Sequence, residues 1–312
     1  MSKTNILIAG IGGVGGYFGG MLAKQYANDP SIEINFFARG EHLRTIQSNG
    51  LMVLNGNDDF RAYPHVATDD ATEIGKVDYL IISTKAYDLM GVLGQLKACI
   101  RPETVILPLL NGVDSKEKIK ALFPNNLVLD GCVYIVARLK GYGMVENIGN
   151  VSKLFFGSVD SNDERLNKLE SILLGAGIDA KLSTEIMSII WEKFVFISPT
   201  ASATSYFDRS IGEVISHQDS LETIEALIRE VMALAKAKGI ELPANVFERT
   251  MNRLKTLPFE NTSSMHSDYK NHKPQTELNT LTGYVIDEGK KYNIETTVYE
   301  KVFNGLKSLP IK

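Results

Sequence analysis

The strongest constraint on this chain sits at its start. Ile6-Leu7-Ile8-Ala9 is a short apolar run that ends in Gly10-Ile11-Gly12-Gly13-Val14-Gly15, ahead of a helix-like stretch from Tyr17 to Tyr26. A strand feeding Gly-x-Gly-x-x-Gly and then a helix has a mechanical reading. Gly10 permits a tight turn, Gly12 lets backbone amides approach a pyrophosphate, and Gly15 lets the helix pack against the strand. The helix N-terminus adds N–H groups and partial positive charge for the phosphates. The motif alone is weak. Its placement between strand and helix favours dinucleotide binding at Gly10, Gly12, Gly13, Val14 and Gly15 over an ordinary glycine-rich turn.

The first half goes on alternating strand and helix. Strands are expected at Ile32–Phe37, Val77–Ser83, Thr104–Leu107 and Leu127–Val136, with helices at Glu41–Ser48, Asp88–Lys97 and Ser115–Leu122. This pattern predicts an α/β fold, a Rossmann-type parallel sheet covered on both faces. Met144–Ile148 and Lys153–Phe156 read as antiparallel additions to that sheet's edge. From Asp163 the strand pattern fades into helical spacing at Leu166–Leu174, Thr184–Ile197, Ser220–Lys238, Ala244–Lys255 and Gln275–Tyr292. The expected organisation is a dinucleotide-binding domain over 1–170 and an all-helical substrate domain over 171–312, with the boundary somewhere in 158–184.

Bulk properties narrow the partners. A chain of 312 residues, 44% hydrophobic and 22% charged, is ample for two globular domains. A net charge of −4 gives no reason to expect nucleic acid or an anionic membrane. Cys99 and Cys132 form no framework of disulfides, which fits a reducing, cytoplasmic setting, and the N-terminal apolar run is too short for a signal peptide. The five histidines show no ligand spacing, so no metal is expected. His266 and His272 read as surface loop residues.

Two further residues carry chemistry. The second strand ends in Phe36-Phe37-Ala38-Arg39, with no carboxylate where an NAD ribose would be held. Arg39 instead suits the 2′-phosphate of NADPH, because a guanidinium binds phosphate in bidentate fashion. Glu41 keeps NAD open as the alternative. In the helical half, Lys193 has Ile189, Ile190, Phe196 and Ile197 as its helical neighbours. A lysine on such a face either snorkels to water or meets a partner or cavity. Desolvation would make it a better proton donor near neutral pH.

Taken together these residues resemble the ketopantoate reductase family over nearly the whole chain, from Ile6 to about Gly305. The elements fall in order: the Gly10/Gly12/Gly15 turn, Arg39, Ser83-Thr84-Lys85-Ala86, Asn111-Gly112-Val113, Trp191-Glu192-Lys193, Asn261-Thr262-Ser263-Ser264-Met265 and Thr276-Glu277-Leu278. The resemblance implies NADPH-dependent reduction of a 2-oxo acid, 2-dehydropantoate to pantoate on the route to pantothenate and coenzyme A. Lys193 would be the catalytic proton donor and Glu277 the acid that orients it and the substrate. Asn111 would lie at the cofactor–substrate junction and Lys85 along the cofactor cleft. Asn261 and Ser264 would line the substrate pocket, and Arg39 would select NADPH. It implies a small-molecule partner only, and a monomer or homodimer.

The chain departs from the family after its catalytic lysine and by one extra residue, Gln275, between Ser264 and Glu277. Members carry substrate-contacting asparagines four and eight residues after the catalytic lysine, where this chain has Ile197 and Ala201. Pro199 predicts an early end to that helix, and Ser198, Thr200 or Ser202 are the hydroxyls that could compensate. Two other readings stand beside the reductase. One is a related hydroxyacid dehydrogenase with another substrate. The other is a non-catalytic NADPH-binding regulator, which would not need Lys193 or Glu277.

Overall fold

Parallel strand pairing organises the N-terminal part of the chain, as a computed structural model covering residues 3–56, 58–158 and 163–308 shows. In order, the elements are β1 (Thr4–Ala9), α1 (Gly13–Gln25), β2 (Ile32–Phe37), α2 (Gly40–Asn49), β3 (Leu51–Leu54), β4 (Phe60–Ala62), β5 (Val66–Thr68), β6 (Tyr79–Ile82), α3 (Leu89–Leu96), β7 (Val105–Pro108), α4 (Ser115–Leu122), β8 (Asp130–Gly141), β9 (Met144–Gly157), α5 (Glu164–Gly175) and β10 (Asp179–Leu182). Helices α6 (Ile186–Phe207), α7 (Ile211–Ser216), α8 (Gln218–Ala237), α9 (Val246–Thr256), α10 (Ser264–Lys270), α11 (Tyr284–Tyr292) and α12 (Thr297–Lys307) follow. None of the described helices is long and apolar enough to cross a membrane.

The chain divides into two units, Met1–Leu110 with Asp114–Ile186, and Asn111–Val113 with Met187–Lys312. The expected boundary at 170/171 falls inside α5. The first unit instead extends to Ile186, because β10 pairs in parallel with β9 and α5 leads into it.

The first unit contains a parallel sheet of order β5-β2-β1-β6-β7. Its central strand reads as a continuous apolar run because both faces are covered, and Ile6, Leu7, Ile8 and Ala9 are at most 1% exposed. The residues expected at the edge of this sheet build a second one. The single strand β9 pairs antiparallel with β8 along one side, and β3 and β10 share its other side in parallel. Helix α1 lies between the two sheets. A Cβ on Gly19 would sit 3.1 Å from Phe36 of the first sheet, while Cβ atoms on Gly16 and Gly20 would come within 2.6 Å of Val145 and Val53 of the second. A helix buried on both sides needs small residues on both, which explains its glycines.

The second unit is all-helical around Trp191, Phe194, Val195, Leu227, Val231 and Tyr299, each at most 1% exposed. Trp191 packs edge-on to Phe194 at 5.6 Å and beside Tyr284 at 6.4 Å. Helix α6 does not end at Pro199; it runs on to Phe207. Proline removes one helical hydrogen bond and crowds the preceding turn, at about 3 kcal/mol. Here the Thr200 hydroxyl donates to the Phe196 carbonyl at 2.6 Å, and burial of Ala201 and Ala203 holds the helix together beyond the break. The helical spacing over 275–292 forms as a wide π turn over Asn279–Gly283 followed by α11.

Two stability measurements follow from this packing. A Cβ on Gly15 would lie 2.1 Å from the Gly10 carbonyl oxygen, which is backbone and cannot swing aside. Overpacking of about 1–3 kcal/mol outweighs the roughly 1 kcal/mol gained in helix propensity. Gly15→Ala should therefore lower the urea midpoint, and an unchanged midpoint would refute the close approach. His42 on α2 accepts the Gly143 N–H at Nδ1, 2.9 Å away, and burial holds its pKa below the ordinary histidine value. Protonation at Nδ1 breaks that bond. The unfolded chain then binds the extra proton first, so stability falls as pH drops below about 6.5 toward the depressed folded value. Denaturation at about pH 7.5 and about pH 5.5 should show this loss, and His42→Asn should reduce it.

Candidate functional site

In the first unit, three loops leave the same ends of adjacent parallel strands β1, β2 and β6. Open α/β sheets bind ligands at these carboxyl ends. Gly10 has φ +89°, a conformation that side-chain-bearing residues rarely adopt, and its N–H donates to the Phe37 carbonyl at 3.1 Å. A Cβ there would lie 2.8 Å from the Thr84 backbone nitrogen. The glycine turn and the Ser83-Thr84-Lys85 loop are thus in backbone contact. Gly12 differs: a Cβ there would meet nothing within 4 Å. Helix α1 also starts with no side-chain cap and no acidic residue in its first turn. An uncapped helix N-terminus with open space before it fits a phosphate. Gly13 is small for another reason, since a Cβ would press within 2.3 Å of the Ala137 carbonyl oxygen on β8.

Arg39 precedes α2 with its side chain 80% exposed, and its Nη2 lies 3.3 Å from Asp88 of the β6 loop. Such an exposed pair is weak, so the guanidinium can change partners at little cost. Glu41 is engaged locally: the Arg44 hydrogen bond holds its carboxyl below the usual carboxylate range. Asp88 gave no signal in the sequence, because it lies 49 residues from the arginine it meets. Lys85 is half-buried and opens the short turn that precedes α3.

In the second unit, Lys193 is half-buried on α6, and its Nζ donates to Asn111 Oδ1 at 3.0 Å. The choice between a snorkelling and a partnered lysine is settled in favour of a partner. A neutral amide oxygen fixes the ammonium's direction without cancelling its charge. Asn111 is held at the start of a turn in which Gly112 has φ +98°. The neighbouring Glu192 pairs instead with Arg249 at 2.7 Å. Glu277 is 3% exposed and stands two residues before the π turn. Wide helical turns of this kind occur frequently at functional sites.

Asn261 and Ser264 are both exposed. Their loop is anchored through the main chain, with the Ile211 N–H donating to the Asn261 carbonyl at 2.7 Å. Ser263 caps α10, its hydroxyl accepting the His266 N–H at 3.0 Å and meeting Thr204 at 2.8 Å. The expectation for His266 is corrected: it is not a surface loop residue but is 2% exposed inside α10. Its ring joins Thr262 Oγ1 at 2.5 Å and Asp208 Oδ1 at 2.7 Å, which holds the Asp208 carboxyl below its ordinary range. Asp208 follows α6 with φ +49°. Nothing in the sequence signals this pairing across 58 residues.

The hydroxyls that could replace the missing asparagines are committed elsewhere. Ser198 donates to the Leu281 carbonyl at 2.7 Å and therefore accepts from Tyr299 at 2.6 Å. Ser202 pairs with Thr282 at 2.8 Å, and Thr200 bonds its own helix. Ile197 is half-buried and Ala201 is 2% exposed.

Comparison with known proteins agrees with this geometry. The family model described as ketopantoate reductase PanE/ApbA matches residues 6–161, and its C-terminal counterpart matches residues 185–309. An uncharacterized oxidoreductase, YkpB, from Bacillus subtilis is 29% identical over 96% of this chain and 97% of its own. A 2-dehydropantoate 2-reductase from Streptococcus pyogenes is 28% identical over 93% of each chain. The crystal structure of a 2-dehydropantoate 2-reductase from Porphyromonas gingivalis is 33% identical, covers 98% of this chain and 100% of that one, and superposes with a TM-score of 0.86. With the glycine turn, the arginine after β2 and the lysine–asparagine pair in place, this chain belongs to the ketopantoate reductase family of NADP-dependent oxidoreductases.

Proposed function

We propose that this protein reduces a branched 2-oxo acid of the size of 2-dehydropantoate, the substrate in its relatives' names, to the 2-hydroxy acid. The observation that carries this reading is the Lys193 Nζ–Asn111 Oδ1 hydrogen bond, which aims a cation from an otherwise apolar helix face. The residues of the first unit fit NADPH: Gly10 makes the tight turn, Gly12 leaves room for the pyrophosphate at the bare start of α1, and Arg39 can exchange Asp88 for a 2′-phosphate. When bound, NADPH supplies the hydride.

The reaction consumes one 2-oxo acid, one NADPH and one proton. The carbonyl π bond breaks as a C–H bond forms at C2 and an O–H bond at its oxygen, giving the 2-hydroxy acid with the cofactor in its oxidised form as the balancing product. Lys193 stabilises the negative charge that grows on that oxygen and donates the proton to it. Asn111 holds the ammonium at a fixed angle while this happens, which reduces the reorganisation the step requires. Glu277 orients the lysine and the substrate, and Asn261 and Ser264 contact the substrate. The protein works in the cytoplasm as a monomer or homodimer. A non-catalytic nucleotide-binding regulator has no use for a half-buried lysine held by an amide, which weighs against that alternative.

Two measurements test the reading. Lys193→Ala should lower kcat for NADPH-dependent reduction of 2-dehydropantoate or a related 2-oxo acid on the order of 100-fold or more. NADPH binding, followed by fluorescence, should persist. Turnover equal to wild type would remove Lys193 from the mechanism. Arg39→Ala should raise KM for NADPH about 10- to 100-fold, the worth of a charged hydrogen bond, and leave KM for NADH nearly unchanged. A parallel rise for both cofactors would contradict phosphate selection.

A further inference from the structure

We infer that the substrate's tail is hydrocarbon, without a hydroxyl, and that Ile197 is the residue that determines this. The inference rests on the reductase reading above and deepens it. Ile197 follows Lys193 by four residues and Ala201 by eight, so both rise from the lysine along neighbouring lines of α6. A substrate whose carbonyl oxygen meets Lys193 and whose tail runs along α6 comes first to Ile197, which is half-buried and therefore still has surface to offer. Ala201, one turn further, is 2% exposed and closed into the helical core.

The decisive observation concerns the polar groups that could have served a hydroxylated tail. Ser198 is 0% exposed, donating its proton to Leu281 and accepting from Tyr299, so it is closed off from a substrate. Ser202 is also 0% exposed and turned to Thr282. Thr200 and Thr204 return their hydroxyl protons to carbonyls one turn back on α6. Ser205 retains a buried hydroxyl with no hydrogen-bond partner, but it lies twelve residues from Lys193, about 18 Å along the helix, beyond the reach of a small acid held at the lysine. Between Lys193 and that point, the side chains of α6 with surface still to offer are the apolar Phe196 and Ile197. A hydroxyl placed against Ile197 would lose its bonds to water and gain none, whereas a methyl group there gains burial.

The test uses a matched pair of acids that differ by one oxygen atom: 3,3-dimethyl-2-oxobutanoate and its 4-hydroxy counterpart, 2-dehydropantoate. An apolar contact discriminates modestly against an added hydroxyl, so the wild-type kcat/KM should favour the deoxy acid by about 10- to 100-fold. Ile197→Asn should shift this ratio by at least tenfold toward 2-dehydropantoate. Ile197→Thr, which is smaller and better tolerated in a packed helix, should shift it in the same direction, while Ile197→Val should leave it in place. Wild-type preference for 2-dehydropantoate, or no preference, would overturn the inference and show that the hydroxyl is held from elsewhere, for instance by Asn261 or Ser264. The reductase reading would survive that result. Failure of every 2-oxo acid to consume NADPH would overturn the reductase reading itself, and this inference with it.

Discussion

Two stretches of backbone in the first unit approach so closely that no side chain fits between them. Helix α1 comes so near the Gly10 carbonyl that a methyl group on Gly15 would overlap it. Everything in the first unit follows from that contact. It seats the start of the helix at the mouth of β1, where the N–H groups of its first turn open toward free space. It also draws α1 deep enough to touch both sheets, so Gly16, Gly19 and Gly20 become as necessary as the motif glycines. The cofactor turn and the core are therefore one construction. Glycine loses more chain entropy on folding than any other residue, and this segment accepts that cost at five of its first eight helical positions.

The second unit solves a different problem. Its helix α6 must hold a cation beside apolar neighbours and still pack into a core. The cation is turned outward to an amide, and every hydroxyl beyond it up to Thr204 is turned inward or back onto the helix. This division of polarity lets the helix continue through Pro199. The hydroxyl bonds that hold α6 to Leu281, Tyr299 and Thr282 compensate for the one hydrogen bond that proline cannot make.

Sequence periodicity revealed much of this. The β1–α1 turn, β2 and α4 were legible almost to the residue, because each pairs a local pattern with local punctuation. The second sheet was not. Strand β9 reads as two short pieces, since Gly149 interrupts its alternation, and only its three partners make it one strand. Strands of three or four residues such as β4, β5 and β10 carry too little pattern to stand out from loop. At the site, Lys193 was legible by the oddity of a charge among isoleucines, and Arg39 by its place after β2. The partners of these residues were not legible. Asp88 meets Arg39 and Asp208 meets His266 only because the chain folds back over 49 and 58 residues. The helix end predicted at Pro199 failed because tertiary burial outweighs a local propensity of a few kcal/mol.

The assignment of Asn111–Val113 to the helical unit has a practical corollary. These three residues are encoded in the middle of the nucleotide-binding half, directly after β7, yet they pack with the helices, and one of them supplies the acceptor for Lys193. The gene order and the physical modules therefore do not coincide. A fragment cut at residue 187 would carry the lysine without its amide, and a chimera that borrowed only the C-terminal half of a relative would inherit a foreign Asn111 loop.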